Sequence, residues 1–296
     1  MKIVLAVEGA KGKNVVFVSD TLQTYSLEEA VRLAQKGQLE SIYAVSGRGG
    51  NYLRTSRSIS NQEQLERLSI SSYQLFASTN DIRHAVSTPA FSRYLQLYAH
   101  SLEKDGGPLI VIEGTVTTTK EAVKMKLQSH QTIIFDAGKK FNIDPYLLGA
   151  IVIDEIARIA PWEFITDPLL GYFIGINASV GIAQVKLETA RGLIKGGYYN
   201  PNPADSKLLP ENIARTSRMY LYQYVKEPKH SIFFAAAQMR SLIVEWKTLQ
   251  DISKQPEIIA TLYSLKGKTP HKNPEANERG LQIAGEFYEL AKMWLV

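Results

Sequence analysis

Over its first 56 residues the chain alternates short β-branched runs with polar turns. Residues 2–7 and 15–19 are strand-like, and the Gly- and Lys-rich stretch between them predicts a hairpin. Ser26-Leu27-Glu28-Glu29 has the form of a capping box. It opens a helix with Leu27, Ala30, Val31 and Ala34 on one side, and Gly37 stops it. Residues 42–45 return as a strand, and Ser46-Gly47-Arg48-Gly49-Gly50-Asn51 turns into a further strand over 52–55. A Gly-rich loop after a strand cradles phosphate only where a helix follows. Here Tyr52-Leu53-Arg54-Thr55 is extended, so the pattern predicts a hairpin turn instead.

Residues 56–66 are polar and Ser-rich, which marks a linker. Helical spacing follows around 62–77 and 89–104, then one strand over 108–116 and a helix over 120–127. From about residue 131 onward the pattern is almost wholly helical: 132–141, 145–159, 181–195, 212–225, 232–249, 256–265 and 277–295. No internal repeat interrupts it. The patterning therefore predicts an α+β chain in three parts. A small ββαββ-like module occupies 1–57, a mostly helical connecting region with one strand 58–130, and a helical domain with a large core 131–296.

Composition narrows the function classes. At 45% apolar and 21% charged residues the chain is ordinary for a globular protein, which excludes a collagen-like or rod-like one. No run approaches the ~20 apolar residues of a membrane span. The first apolar run is too short for a signal peptide, so it is expected to be a first strand, in a protein cytoplasmic in the cell that makes it. The absence of cysteine removes disulfides, thiol catalysis and Cys-based metal sites. The net charge of +5 points mildly to an anionic partner. Lys and Arg are scattered rather than striped along a helix, which argues against nucleic acid. His84, His100, His130, His230 and His271 lack metal-ligand spacing. Neither a Gly-x-Ser-x-Gly elbow nor a Walker A sequence occurs. No cofactor is implied.

The most informative segment is residues 142–158. Asp144 is suited to an N-cap and Pro145 to a first helical position. The helix that follows is apolar nearly all round, hence buried, until it meets Asp154 and Glu155. Asp154 lies four residues before Arg158, so an ion pair along the helix can satisfy it. Glu155 shares its face with Ile151, Val152 and Ile159 and has only Arg158, three residues on, as a nearby partner. Desolvation then raises its pKa, and a carboxyl kept protonated is what a general acid needs in glycoside cleavage. The other reading is that both acids share Arg158 at a helix contact.

A second segment, Ser179-Val180-Gly181-Ile182-Ala183-Gln184-Val185, bears on that choice. Taken with Leu147-Leu148-Gly149-Ala150-Ile151-Val152-Ile153-Asp154-Glu155, it resembles the goose-type lysozymes and lytic transglycosylases of the lysozyme-like superfamily. There a helix ending near a catalytic Glu is followed by a Gly-x-x-Gln motif. Ala260-Thr261-Leu262-Tyr263-Ser264-Leu265-Lys266-Gly267 is similar to the family's Ala-x-x-Tyr-Asn-x-Gly element. The resemblance covers about 131–296. It implies a lysozyme-like helical domain in which Glu155 is the general acid, Gly181, Ile182 and Gln184 form the cleft floor with Ser179 beside them, and Tyr263 lines the opposite wall. The N-terminal module resembles a small family of uncharacterised domains, which implies no activity.

The chain departs from that family at several points. Ala183 replaces the usual Met, Ser264 the usual Asn, and Ile156 a common Ser, and the interval from Glu155 to Gln184 is long. That interval contains Pro161-Trp162-Glu163-Phe164-Ile165-Thr166-Asp167-Pro168. Its aromatic rings are suited to stacking on sugars, and Asp167 first, then Glu163, are candidates for a second acid that activates water. Without a second acid, the family's other route applies, in which the substrate's own hydroxyl attacks. The resemblance implies a peptidoglycan-cleaving muramidase, either a hydrolase or a transglycosylase. It is consistent with an antibacterial effector toxin acting at the cell wall or periplasm after delivery, with an immunity protein or a secretion-apparatus component as further partners. The alternative is a non-catalytic wall-binding or assembly protein that retains a degenerate cleft.

Overall fold

The computed structural model describes residues 1–9, 12–48, 50–56, 60–78, 81–166, 179–265 and 269–296. With 56% of residues helical, 16% in strands and the small sheets ahead of the helices, the chain is α+β as the patterning predicts. Its contacts divide it into two compact units. The first comprises Met1–Thr119 with Arg158–Phe173, and the second Lys120–Ala157 with Ile174–Val296. Residues of the expected 1–57 module and most of the expected connecting region thus share one unit.

In the first unit, β1 (Ile3–Glu8) pairs antiparallel with β2 (Asn14–Ser19), and β2 with β3 (Thr24–Ser26). Ser26 then caps α1 (Leu27–Gln35): its Oγ accepts the Glu29 N–H, and Glu29 Oε2 accepts the Ser26 N–H at 2.8 Å. That N–H is the main reason the Glu29 carboxyl sits below its ordinary pKa. The apolar face read from the sequence is the buried one, through Ala30, Val31 and Ala34. The Gly-rich segment is a hairpin turn, joining β4 (Ile42–Gly47) to β5 (Gly50–Thr55) in an antiparallel pair.

The expected helix over 62–77 is broken. It is replaced by α2 (Leu65–Leu68), β6 (Ser69–Ser71) and α3 (Ser72–Ser78), and β6 joins the sheet parallel to β1, giving the order β3-β2-β1-β6. Serines make the break, because their side chains compete for backbone partners. Ser69 Oγ donates to the Leu65 carbonyl, while Ser71 and Gln74 exchange backbone and side-chain bonds at the start of α3. α4 (Ile82–Val86) and α5 (Pro89–Asp105) follow.

The single strand expected over 108–116 is instead a hairpin of β7 (Leu109–Ile112) and β8 (Thr115–Thr119). Glu113 (φ 51°) and Gly114 (φ 79°) both adopt left-handed backbone at its turn, the geometry that suits a two-residue hairpin.

The second unit begins with α6 (Lys120–Gln128), α7 (Gln131–Phe141) and α8 (Pro145–Ile159). Asp144 Oδ1 accepts the Tyr146 N–H at 2.9 Å, so the expected cap is present. α8 is buried from Leu147 to Arg158. Its last two residues, and α9 (Glu163–Thr166), belong to the first unit. The helix expected over 181–195 begins only at Leu187, as α10 (Leu187–Lys195). Before it lies a short hairpin of β9 (Ser179–Val180) and β10 (Val185–Lys186). The helix expected over 212–225 starts late too, because Ser217 caps α11 (Arg218–Val225) through the Tyr220 N–H. α12 (Pro228–Trp246) and α13 (Pro256–Ser264) are largely buried. α14 (Glu278–Gln282) continues through a π-helical turn, Ile283–Phe287, into α15 (Tyr288–Trp294). α15 closes on α8 at Gly149, where a Cβ would stand 2.7 Å from Leu295 Cδ1.

No helix among the described residues is long and apolar enough to cross a membrane.

Candidate active site

α8 delivers Asp154 and Glu155 side by side near its C-terminal end, in the second unit. Asp154 is fully buried and Glu155 retains 8% exposure. A partner that both share is Arg279 of α14, more than a hundred residues away in sequence. Its Nε and Nη2 both reach Asp154 Oδ2, at 2.7 Å and 2.5 Å, and Nη2 also reaches Glu155 Oε1 at 2.7 Å. This corrects the expectation that Arg158 is the only cation available to Glu155. Arg158 itself pairs with Glu113 in the first unit, Nη1 to Oε1 at 2.8 Å. The second oxygen of Glu113 accepts the Ile82 and Arg83 N–H groups at the start of α4.

Arg279 is aimed by a close helix approach. Asn277 caps α14 by accepting the Gly280 N–H at 2.8 Å, and its own N–H donates to Thr261 Oγ1 on α13 at 3.1 Å. Gly280 lies so near that a Cβ there would stand 1.9 Å from Thr261 Oγ1. Only glycine permits this contact, and the neighbouring Arg279 is carried with it to the carboxylates.

Tyr263 lies on α13, two residues after Thr261. It is 7% exposed, and its Oη donates to the Ala183 carbonyl at 2.9 Å. Burial chiefly, and then the charge of Glu155, holds the phenol well above its ordinary pKa. For Arg279, burial opposes the charge, but Asp154 and Glu155 outweigh it and raise the pKa. Asp154, Glu155, Tyr263 and Arg279 therefore form one electrostatic cluster.

The β9–β10 hairpin is fastened to this cluster through its turn. Gly181 (φ 74°) admits no side chain, since a Cβ would stand 2.5 Å from both the Val225 carbonyl oxygen and Ser231 Oγ. Gln184 (φ 46°) folds back, and both its N–H and its Nε2 donate to the Gly181 carbonyl, at 3.0 Å and 2.8 Å. The Ala183 N–H donates to Ser231 Oγ at 3.1 Å. Ser231 on α12 and Tyr263 on α13 thus grip Ala183 through its two backbone groups. Ser179, Gly181, Ile182 and Gln184 are each half-buried.

Glu155, Tyr263 and the Gly181–Ala183–Gln184 turn are therefore brought together. Asp167 lies outside the described residues, as do Lys266 and Gly267 of the third motif. Trp162, expected to be a sugar platform, is instead fully buried in the first unit, edge-on to Phe91 at 5.0 Å and stacked on Tyr94 at 5.5 Å. Glu163 is also in the first unit, where its charge and, more strongly, burial push the Tyr98 phenol up to about 12. Phe164 is 67% exposed.

Sequence reasoning missed Arg279 and Ser231. Asn277-Glu278-Arg279-Gly280 carried a usable signal for the first: an N-cap followed by a glycine within the first helical turn marks a close approach. Ser231, a lone serine in an apolar helix, carried none. Among the described residues no group of three or more His, Asp or Glu could hold a metal ion. Comparison with known protein-family models finds no match for this chain, and comparison with curated proteins finds none either.

Proposed function

We propose that the second unit cleaves the glycan strand of peptidoglycan between its amino sugars, with Glu155 as the general acid. The observation that carries this reading is a convergence. The helix bearing Glu155, the Gly181–Gln184 turn and Tyr263 lie far apart in the chain, yet they share one cluster. These are the three segments that resemble the lysozyme-like superfamily, in the order that family uses.

In the proposed reaction the Glu155 carboxyl proton passes to the glycosidic oxygen as the C1–O bond breaks, leaving an oxocarbenium-like sugar. Either a water adds at C1 and loses its proton to a carboxylate, giving a reducing end, or the sugar's own C6 hydroxyl adds and returns its proton to Glu155. The second route gives a 1,6-anhydro end without water. The net positive charge favours adsorption to an anionic wall. The same reading makes the protein an antibacterial effector delivered to its target, with an immunity partner in cells sharing that wall.

A second reading, a wall-binding protein without catalysis, is favoured by the Arg279 contact, because a neighbouring guanidinium normally favours the ionised carboxylate over the proton donor. One experiment separates the two: purified sacculi are digested with the wild type and with Glu155→Gln, and the products are read by mass spectrometry. Soluble muropeptides from the wild type alone are the expected result. Reducing or anhydro ends then fix the reaction type. Sacculi that bind the protein but stay intact with both would establish the binding reading.

A further inference from the structure

The second unit also holds a surface cavity of about 390 Å³ that none of the residues around Glu155 lines. Its walls come from two 3-10 turns, Ser206–Leu208 and Ile213–Arg215, and from the start of α11. Lys207 lines it from the first turn and Arg215 from the second, and both are exposed. The acids next to these turns in sequence, Asp205 and Glu211, are not among the lining residues. Asp205 is engaged elsewhere: Oδ2 accepts the hydroxyls of Tyr220 and Tyr224, and Oδ1 accepts the Lys207 N–H at 3.0 Å. The Tyr220 hydroxyl does most to hold that carboxyl below its ordinary pKa, and the Lys207 charge does least. Among the described residues no ion pair engages Lys207 or Arg215. The Lys207 ammonium stands instead 4.8 Å from the centre of the Tyr220 ring.

The two turns are tied together before anything binds. Thr216 Oγ1 donates to the Lys207 carbonyl at 2.8 Å, and Asn212 Nδ2 to the Ser206 carbonyl at 2.9 Å. Such prior ordering lowers the cost of binding. The cavity falls at the small end of the ~300–1,000 Å³ of ligand pockets, which leaves room for a small organic body beside an anion. We infer that it binds a phosphate monoester of a small polyol or sugar. A monoester carries a charge of about −1.5 to −2 near pH 7 and three strong acceptor oxygens. Two cations match that charge, and a guanidinium can hold two of those oxygens at once. A carboxylate or a phosphodiester brings a single charge and leaves one cation unanswered. The hydroxyls of Ser206 and Ser217 and the amide of Asn212 suit the polyol body, with Tyr220 as its wall. The site is independent of the role proposed for Glu155.

Calorimetric titration of the full chain at constant ionic strength tests this. The probes are glycerol 3-phosphate, the diester bis-glycerol phosphate, inorganic phosphate, acetate and glycerol. One glycerol 3-phosphate per chain is expected to bind, more tightly than any of the other four. Lys207→Gln and Arg215→Gln should each weaken it about tenfold or more, as loss of a hydrogen bond to a charged group does. Arg48→Gln, which removes one exposed cation from the first unit, should leave it unchanged. Lack of saturable binding overturns the inference. So does a diester, phosphate or acetate bound as tightly as the monoester, or an equal loss in Arg48→Gln. An unchanged melting temperature checks that the variants fold, and the comparison of probes on the wild type decides the matter without them.

Discussion

Single side chains in the second unit are placed mostly by groups remote in sequence. That decides how much of the site can be read in advance. Glu155 was legible, because a carboxylate in an apolar helix face has to be explained by a partner or a function. Around Arg279 the sequence shows only a close helix approach, through Asn277 and Gly280, and nothing in a one-dimensional pattern joins residue 155 to residue 279. Tyr263 was legible only through a motif, and the bond from its hydroxyl to the Ala183 carbonyl has no sequence signature. A further residue-scale consequence concerns pH. His230 lies 2.7 Å, Nδ1 to Oη, from Tyr199, and its pKa is lowered, first by burial and then by Lys229. The folded chain therefore favours the neutral ring. Below the ordinary value of 6.5 the unfolded chain takes up the proton first, so stability is full above 6.5 and falls as pH drops from there through the lowered folded value. His130 shifts the same way, chiefly by burial. Melting temperatures measured from about pH 7.5 to 5.5 should fall, and His230→Gln should flatten the slope; an unaltered slope would show that this ring titrates as it does in solution.

Helices and strands with local punctuation are legible in the sequence, and those without it are not. α1 was announced by Ser26 and Glu29, and α8 by Asp144 and Pro145. The β9–β10 hairpin reads as helix in the sequence because Gly181-Ile182-Ala183-Gln184-Val185 keeps helical apolar spacing, and its turn relies on a glutamine with positive φ, a residue type seldom found there. The β7–β8 turn was hidden for the same reason, since Glu113 is not the Asn or Asp that usually marks such a turn. Helix approach also makes a prediction at this scale. Gly280→Ala would drive a methyl group to within 1.9 Å of Thr261 Oγ1 and 2.5 Å of the Glu257 carbonyl oxygen. Overpacking of this kind costs about 1–3 kcal/mol, and it would move Arg279 away from the carboxylates. Calorimetry should show a lowered melting temperature, and the proposed cleavage of sacculi should weaken. A variant as stable and as active as the wild type would mean that α13 and α14 tolerate a wider spacing.

At the scale of the whole chain, the α+β class was legible from the change in periodicity near residue 131, but the interleaving of the two units was not. Hydrophobic patterning marks which residues are buried and is silent on what they are buried against. Residues 158–166 belong with the first 119, and Trp162 supplies one of the large buried rings there, against Phe91 and Tyr94. A fragment of residues 1–119 should therefore lack a cooperative thermal transition, whereas extending it to residue 173 should restore one; a sharp transition from the shorter piece would refute this. The pairing of Glu155 with Arg279 carries a related consequence in time. A ribosome making the chain at about 5–20 residues per second releases the two adjacent carboxylates well before Arg279 exists. Arg279 emerges more than a hundred residues after both carboxylates, so this ion pair is one of the late contacts of the second unit to form.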